Sequence, residues 1–557
     1  MSYPVFSATG LALSVLVSVV AVDIIQRVFR SRRERKGLPL PPGPTSLPLL
    51  GNGLSVDTDE MWKTYTEWKA TYGEVLYVRL LDQEFVILNS QSDAVELLEK
   101  RSQIYSDRPF IVTTEPYGMG CNFAFKRYGD HWRLFRRIFH QTFRADAALA
   151  FRPMQLRRAH QMIVNMIDDP DQHASHYSTF AGAVAMSAVY DYEPSPRDDP
   201  MVHIVDRFLQ ATLPAITAKR MVLFRMFPFL LHIPDWLPGS SLKREARFAC
   251  DCAINMVETP YQYAKRRVEA SQQPTFSMVS DHIARMQKFD EPYRSDYATT
   301  LKHASATAII GSSESTSSTL RSFTLAMVEN PHVWKRAQAE IDAVVGMGRL
   351  PDFGDRPSLP YVDAVLREIL RWQPVGPLGE TMSRFDVPRL ESPLGVPHAT
   401  STSDTYKGFY IPKGMSCVCT KIPRSHICHI TGATIIANVW AMSRDEARYP
   451  NAEQFVPERF LTAEGALTDD NPSSFIFGFG RRLCPGRHTA DASLWASIAT
   501  MLATLEFTLA KDAEGNDITF EPKYFLRGGT RHPETFPCRI MPRSHITKEY
   551  LQRVLAG

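Results

Sequence analysis

The sequence predicts a mainly helical α+β domain with small β-sheets, carried behind one N-terminal transmembrane helix. Three observations predict it. Apolar residues recur at three- and four-residue spacing through most of the 557-residue chain; strand-like runs are short and gather toward both ends; the first 22 residues carry no acidic or basic side chain. No internal repeat is present, so the body reads as one large domain, although its length would accommodate several. Apolar content of 44% and charged content of 22% are ordinary for a globular protein. A net charge of +3, with no sustained basic tract in the body, gives no footing for a nucleic-acid partner. Eight scattered cysteines do not make a disulfide framework.

In chain order, residues 5–25 read VFSATGLALSVLVSVVAVDII, with one late Asp. At about 1.5 Å per residue this run crosses the ~30 Å hydrocarbon layer. Arg27, Arg30, Arg32, Arg33, Arg35 and Lys36 follow it. Positive charge stays on the cytosolic side, so the body is expected in the cytosol. A cleaved signal peptide would carry its basic residues before the apolar run, so residues 1–26 are expected to be a retained signal-anchor. The expected location is the endoplasmic reticulum membrane, crossed once. Residues 27–52 form a basic and Pro-rich linker; five prolines in LPLPPGPTSLPLLGN restrict φ and stiffen it. The body then spans 53–557. Within it, periodicity predicts helices over 94–101, 130–143, 300–329, 333–345 and 361–372, and strands over 75–80, 84–89 and 434–439.

The chemistry concentrates in FGFGRRLCPGR, residues 477–487. A cysteine flanked by glycines, preceded by two arginines and followed by an apolar helix over 490–502, is a thiolate presented at a helix N-terminus. Unsatisfied amides and the positive dipole end there favour negative sulfur. Gly478, Gly480 and Gly486 let backbone approach a large flat ligand closely. The stretch resembles the haem-binding loop of the cytochrome P450 family, Phe-x-x-Gly-x-Arg-x-Cys-x-Gly, at Phe477, Gly480, Arg482, Cys484 and Gly486 without mismatch. The resemblance implies haem b with Cys484 as thiolate ligand of the iron, a ligand that favours oxygen–oxygen cleavage. It also implies Arg482 beside a haem propionate and, from the VPHAT segment, His398 at a propionate too.

Three further segments carry the same resemblance. Glu368 and Arg371 lie three apart in LREILRW, and FVPERF supplies Arg459; the family joins such residues in a structural triad, and planar guanidinium groups suit a buried carboxylate. Trp132 and Arg136 match its Trp-x-x-x-Arg, placed for a haem carboxylate. Gly311-Ser312-Ser313-Glu314-Ser315-Thr316 departs from Ala/Gly-Gly-x-Asp/Glu-Thr-Thr/Ser: serine replaces the second glycine and the usual threonine. Glu314, Ser315 and Thr316 are expected to be catalytic, because an acid beside an alcohol can deliver the protons that oxygen–oxygen cleavage consumes. Serine is freer at χ1 than threonine, so more peroxide is expected to escape per substrate oxidised.

The resemblance covers residues 40–545 and is closest to microsomal-type fungal members that act in secondary metabolism or xenobiotic oxidation. It implies a monooxygenase fed by NADPH through a membrane-bound NADPH-cytochrome P450 reductase. Arg127, Arg133, Arg137, Arg481 and Arg487 are candidates to meet an acidic docking face. The implied substrate is an apolar terpenoid, polyketide-derived or aromatic compound, with contacts over 108–114, 208–218, 304–311, 375–379 and 525–530. Residues 221–239, rich in Phe, Leu and Trp, are expected to dip into the bilayer. Two alternatives stay open: a haem-thiolate isomerase or peroxide-rearranging enzyme that needs no reductase, and a haem protein without catalysis, including an inactive product of an unspliced transcript.

Two stretches interrupt the family pattern. Residues 380–395 separate QPVGPLG from VPHAT, and residues 415–432 separate YIPKG from ATIIANVW. The second contains three cysteines and two histidines, a composition that also suits a zinc loop. Both follow a glycine and end in glycine, codons that can spell intron boundaries, and removing either rejoins family sequence. Two in-frame introns retained in the translated chain are therefore expected.

Overall fold

The computed structural model describes residues 33–557 except 48–49, 58–59, 81–82, 217–219, 222, 225–226, 271–275, 379–395, 414–417, 420–427, 430–432, 528–529, 548, 552 and 554–557. The expected signal-anchor, the start of the linker and the first interruption lie outside the described residues. No helix among the described residues is long and apolar enough to cross a membrane.

Eleven described helices of eight or more residues build the body: α1 Met61–Tyr72, α2 Asp130–Phe143, α3 Arg152–Asp168, α4 His173–Tyr190, α5 Pro200–Thr212, α6 Ser241–Ala270, α7 Met278–Met286, α8 Tyr293–Glu329, α9 Pro331–Val344, α10 Pro360–Trp372 and α11 Arg487–Thr504. Their amphipathic faces explain the layering. In α2, Trp132, Phe135, Ile138, Phe139 and Phe143 recur at three- and four-residue spacing and are all buried. Proline at the first turn of α5, α9 and α10 starts each helix where an amide would lack an acceptor anyway.

The 37-residue α8 runs through the middle and belongs to two apolar clusters. Its first half, through Leu301, Ala304, Ile309 and Ile310, packs with α2, α4, α5 and α6. Its last turns, through Leu320, Phe323, Leu325 and Met327, pack with α3, α9, α10 and α11. Between them, residues 311–319 are all glycine, hydroxyl or acid, and the last four of these are buried.

Strands β1 (Val75–Leu80) and β2 (Gln83–Leu88) form a hairpin; β3 (His398–Ala399) and β8 (Thr434–Ala437) complete a four-stranded sheet in the order β1-β2-β8-β3. Only the β2–β8 pair is parallel. The chain between β3 and β8 holds two small hairpins, β4 (Asp404–Tyr406) with β5 (Phe409–Ile411), and β6 (Val418–Cys419) with β7 (Cys428–His429). In the second, Cys419 stands opposite Cys428; the rest of the Cys/His cluster lies outside the described residues. Among the described residues no group of three potential ligands is arranged to hold a metal ion. Near the C-terminus β9 (Leu505–Leu509) pairs with β12 (Cys538–Pro542), and β10 (Tyr524–Arg527) with β11 (Thr530–Pro533).

Most expected elements stand within two residues of their sequence limits; the helix expected from 300 begins at Tyr293, and one element differs in kind. The helix expected over 94–101 is a single α-turn, Gln91–Ala94, that widens into π-helix over Val95–Lys100. The strand expected to end at 439 stops at Ala437. Asn438 terminates it by capping the next helix through Ala441 N–H, while its own amide donates to Trp62 O and Asn89 Oδ1.

Glu368 and Arg371 of α10 are fully buried and joined by two bonds of 2.7 Å. Arg459 adds a 3.2 Å contact to the same carboxylate. Arg371 also donates to the carbonyls of Ser443, Ala452 and Gln454, so the pair holds an otherwise irregular segment against the helix. The three expected residues thus meet at one buried carboxylate.

His282 of α7 is sealed between Tyr297 OH (2.6 Å) and Thr142 Oγ1 (3.2 Å). Burial pushes its pKa down to about 4. The folded state therefore favours the neutral ring, a contribution complete above pH ~6.5 and lost as pH falls toward 4. Urea unfolding at pH 7.5, 5.5 and 4.5 is expected to show wild-type stability falling more steeply than that of His282→Gln, by up to about 3 kcal/mol at the lowest pH.

Candidate functional site

Cys484 lies between a 3-10 turn at Gly480–Arg482 and the start of α11. Its own N–H donates to Phe477 O at 2.9 Å, closing the loop on itself. Gly480 has φ +55°, and a Cβ there would lie 2.1 Å from Leu98 O, against the π-helical turn. Only glycine permits that approach.

Arginines tie the loop to its surroundings. Arg136 of α2 donates to Leu483 O at 2.6 Å, and Arg487 to Cys484 O at 3.2 Å. Arg482 donates to Ser106 O and Lys126 O, both at 2.8 Å, and its guanidinium lies 4.7 Å from the ring centroid of Trp132. Four of the expected site residues, Trp132, Arg136, Arg482 and Cys484, are thus brought together from α2 and the loop.

His398 joins them from β3. Its ring donates from Nδ1 to Tyr105 O at 2.7 Å. Burial, with the charges of Arg108 and Arg482, holds its pKa well below the usual imidazole value, so it is neutral. Arg108 belongs to this corner as well: it donates to Ala124 O and Val396 O and is buried. The sequence placed Arg108 among substrate contacts; its partners place it beside Arg482 and His398.

Behind the loop opens a cavity of about 310 Å³, lined by Cys484, Phe477, Gly486, Arg482 and Arg108 and, from α8, by Thr307, Ala308, Ile310, Gly311, Ser312, Glu314, Ser315, Thr316 and Thr319. Glu314, Ser315 and Thr316 all line it. Ser315 Oγ donates to Gly311 O at 2.8 Å, which holds the side chain in one orientation. Of the expected substrate segments, Arg108, Leu209, Thr307, Ala308, Ile310, Gly311, Val375, Gly376 and Thr530 reach the wall. Phe208 and Ala304 do not; both are sealed in the α2/α5/α6 cluster. The sequence missed Asn122, Phe123 and Ala124, and Val184, Ala185, Ala188 and Val189 of α4. The only available signal for the latter was a small-residue run, AGAVAMSAV, too apolar all round to reveal which face opens on a cavity.

The residues fit a haem. Trp132 Nε1–H is buried with no partner among the described residues, an orphan donor beside Arg482 that suits a carboxylate. Side chains built on Gly311 or Gly486 would meet nothing within 4 Å, so both flanks of the cavity are open to a flat macrocycle. A cationic corner, apolar walls and a sulfur at the head of α11 define the class of haem-thiolate proteins.

Comparison with known proteins narrows the class. The family model described as Cytochrome P450 matches residues 41–384 and 429–533. Cytochrome P450 monooxygenase 176 of Postia placenta is 34% identical over 517 residues, covering 92% of each chain. Cytochrome P450 monooxygenase ple1 of Rhodocybe pseudopiperita is 32% identical over 553 residues, covering 98% of this chain and 97% of its own. Cytochrome P450 monooxygenase claR of Ampulloclitocybe clavipes is 31% identical, covering 97% and 93%. The chain belongs to the cytochrome P450 family and is a P450 monooxygenase, similar throughout to fungal members.

Because Gly480 admits no Cβ without moving Leu98 O, Gly480→Ala is expected to displace the Cys484 loop. Purified Gly480→Ala protein should retain less than about a tenth of the wild-type haem per chain, measured as pyridine haemochrome, while far-ultraviolet circular dichroism stays helical.

Proposed function

We propose that the protein is a membrane-anchored monooxygenase that inserts one oxygen atom of O2 into an apolar terpenoid, polyketide-derived or aromatic compound. The second oxygen atom leaves as water, with two electrons supplied from NADPH through a cytochrome P450 reductase and two protons drawn from solvent. The observation that carries this reading is a largely apolar cavity that has Cys484 on one wall and the Glu314/Ser315 pair on the other. Cys484 would hold the haem, with Arg482, Arg108, Trp132 and His398 at its carboxylates, and the haem would supply the activation of dioxygen there.

The chain's own residues do the rest. Phe123, Phe139, Val184, Leu209 and Ile310 exclude water and hold the apolar substrate. Glu314 passes protons toward the cavity, and Ser315, fixed by its bond to Gly311 O, offers the hydroxyl through which they are handed on. On the cysteine side, Arg137 and Arg481 face the donor protein; Arg127 is drawn into an ion pair with Asp107, and Arg133 into one with Asp130. An anchor at residues 1–26 and the exposed Phe229 (60%) and Trp236 (80%) support attachment to the endoplasmic reticulum membrane, with the body cytosolic.

We also propose that residues 380–395 and 415–432 are absent from the mature protein. The family match is interrupted between 384 and 429. Around the second stretch, Thr400 Oγ1 donates to Pro412 O at 3.0 Å and accepts Ala433 N–H at 2.9 Å. One hydroxyl of β3's neighbour Thr400 thus touches both flanks of the stretch.

In reconstituted membranes with reductase, the reduced wild-type protein is expected to give the red-shifted carbon monoxide band of a thiolate haem and to oxidise substrate only with NADPH. Cys484→Ser should lose both; oxidation that persists without NADPH would favour the isomerase alternative. Transcript sequencing is expected to skip both interruptions. Protein lacking 380–395 and 415–432 should incorporate several-fold more haem, whereas equal incorporation and uninterrupted reads would refute their removal.

A further inference from the structure

The class of substrate can be narrowed, on the reading that this cavity is the substrate chamber. Serine stands at 312, where the family signature has glycine, and Ser312 lines the cavity. Neighbouring wall hydroxyls are engaged inside the protein. Thr307 donates to His303 O (2.9 Å) and accepts Phe123 N–H (3.1 Å). Ser315 donates to Gly311 O, Thr319 to Ser315 O and Ser493 to Thr489 O, and Thr530 accepts from Ser318. Ser312 Oγ has no hydrogen bond among the described residues, nor has Thr316 Oγ1 one turn further along α8. A spacing of four places the two hydroxyls on one side of the helix. Thr489 Oγ1, also unpartnered, lies across the cavity near Cys484.

Against a wholly hydrocarbon ligand these hydroxyls would lose their water and gain nothing, at a cost of about 1–3 kcal/mol per group. A ligand oxygen removes that cost, and a site able to hydrogen-bond such an oxygen discriminates against the analogue without it. We propose that Ser312 is a specificity-determining residue and that, with Thr316, it receives an alcohol or carbonyl oxygen already present on the substrate's apolar skeleton. The enzyme then acts on the product of an earlier hydroxylation, hydration or ketone-forming reaction rather than on a bare hydrocarbon.

The test is optical and equilibrium-dialysis titration of the haem-loaded protein with a matched pair, the sesquiterpene alcohol cedrol and its hydrocarbon cedrane. In an apolar chamber without a partner the alcohol binds more weakly, because its hydroxyl is desolvated uncompensated. Wild type is expected instead to bind cedrol about tenfold more tightly than cedrane. Ser312→Ala and Ser312→Gly should reduce the preference to about twofold or less, by weakening cedrol and tightening cedrane, and Ser312→Thr should restore it. Equal affinity for the pair in wild type, or an undiminished preference in Ser312→Ala, overturns the assignment while leaving the chamber reading intact. Failure of both compounds to bind overturns the chamber reading and the assignment together.

Discussion

Guanidinium groups bonded to backbone carbonyls hold this structure's irregular parts in place. The cysteine loop, the segment preceding it and the stretch around residues 443–459 have no helix or strand ladder to satisfy their carbonyls. Arg136, Arg482, Arg487 and Arg371 do so instead, between them reaching Leu483, Ser106, Lys126, Cys484, Ser443, Ala452 and Gln454. A planar fork with five donors can bridge carbonyls that face different ways, which a lysine cannot. Of the four, Arg482 also lines the cavity and belongs to the proposed corner for the cofactor's carboxylates, whereas Arg371 is neutralised by Glu368.

Helix α8 shows how a site is opened in a tightly packed body. Apolar residues commit its two ends to different clusters, and residues 311–319 between them are committed to neither. A helix whose polar stretch is buried must satisfy it or face a cavity. Three of the seven hydroxyls there, Ser313, Ser315 and Thr319, turn back onto carbonyls four residues earlier, and Ser317 and Ser318 bond Ser178 and Thr530. The cavity takes up the remainder, and the chemistry of the wall follows from which groups are left over.

Legibility differed sharply between local and distant features. The helix over 130–143 and the strand over 75–80 were readable to the residue, because burial of one face writes a period into the sequence. Cys484, Arg482, Trp132, Arg136 and the Glu368 triad were readable from motif spacing. The π-helical turn over Val95–Lys100 was not, since α and π winding bury nearly the same side chains. The short strand ending at Ala437 depended on what Asn438 would bond to, and its partners Trp62 and Asn89 lie more than 300 residues away.

Residue order alone established the helical body, the thiolate loop and the acid–alcohol pair, since each depends on neighbours within a few turns of the same element. Tertiary structure decided which residues meet. It set Arg108, which lines the cavity, close enough to His398 for its charge to be felt there, and it sealed Phe208 and Ala304 away from the cavity. It also left Ser312 facing the cavity while its neighbours were satisfied. The reason is geometric: periodicity reports that a side chain is buried, whereas its neighbour across the core is set by how helices from distant parts of the chain stack.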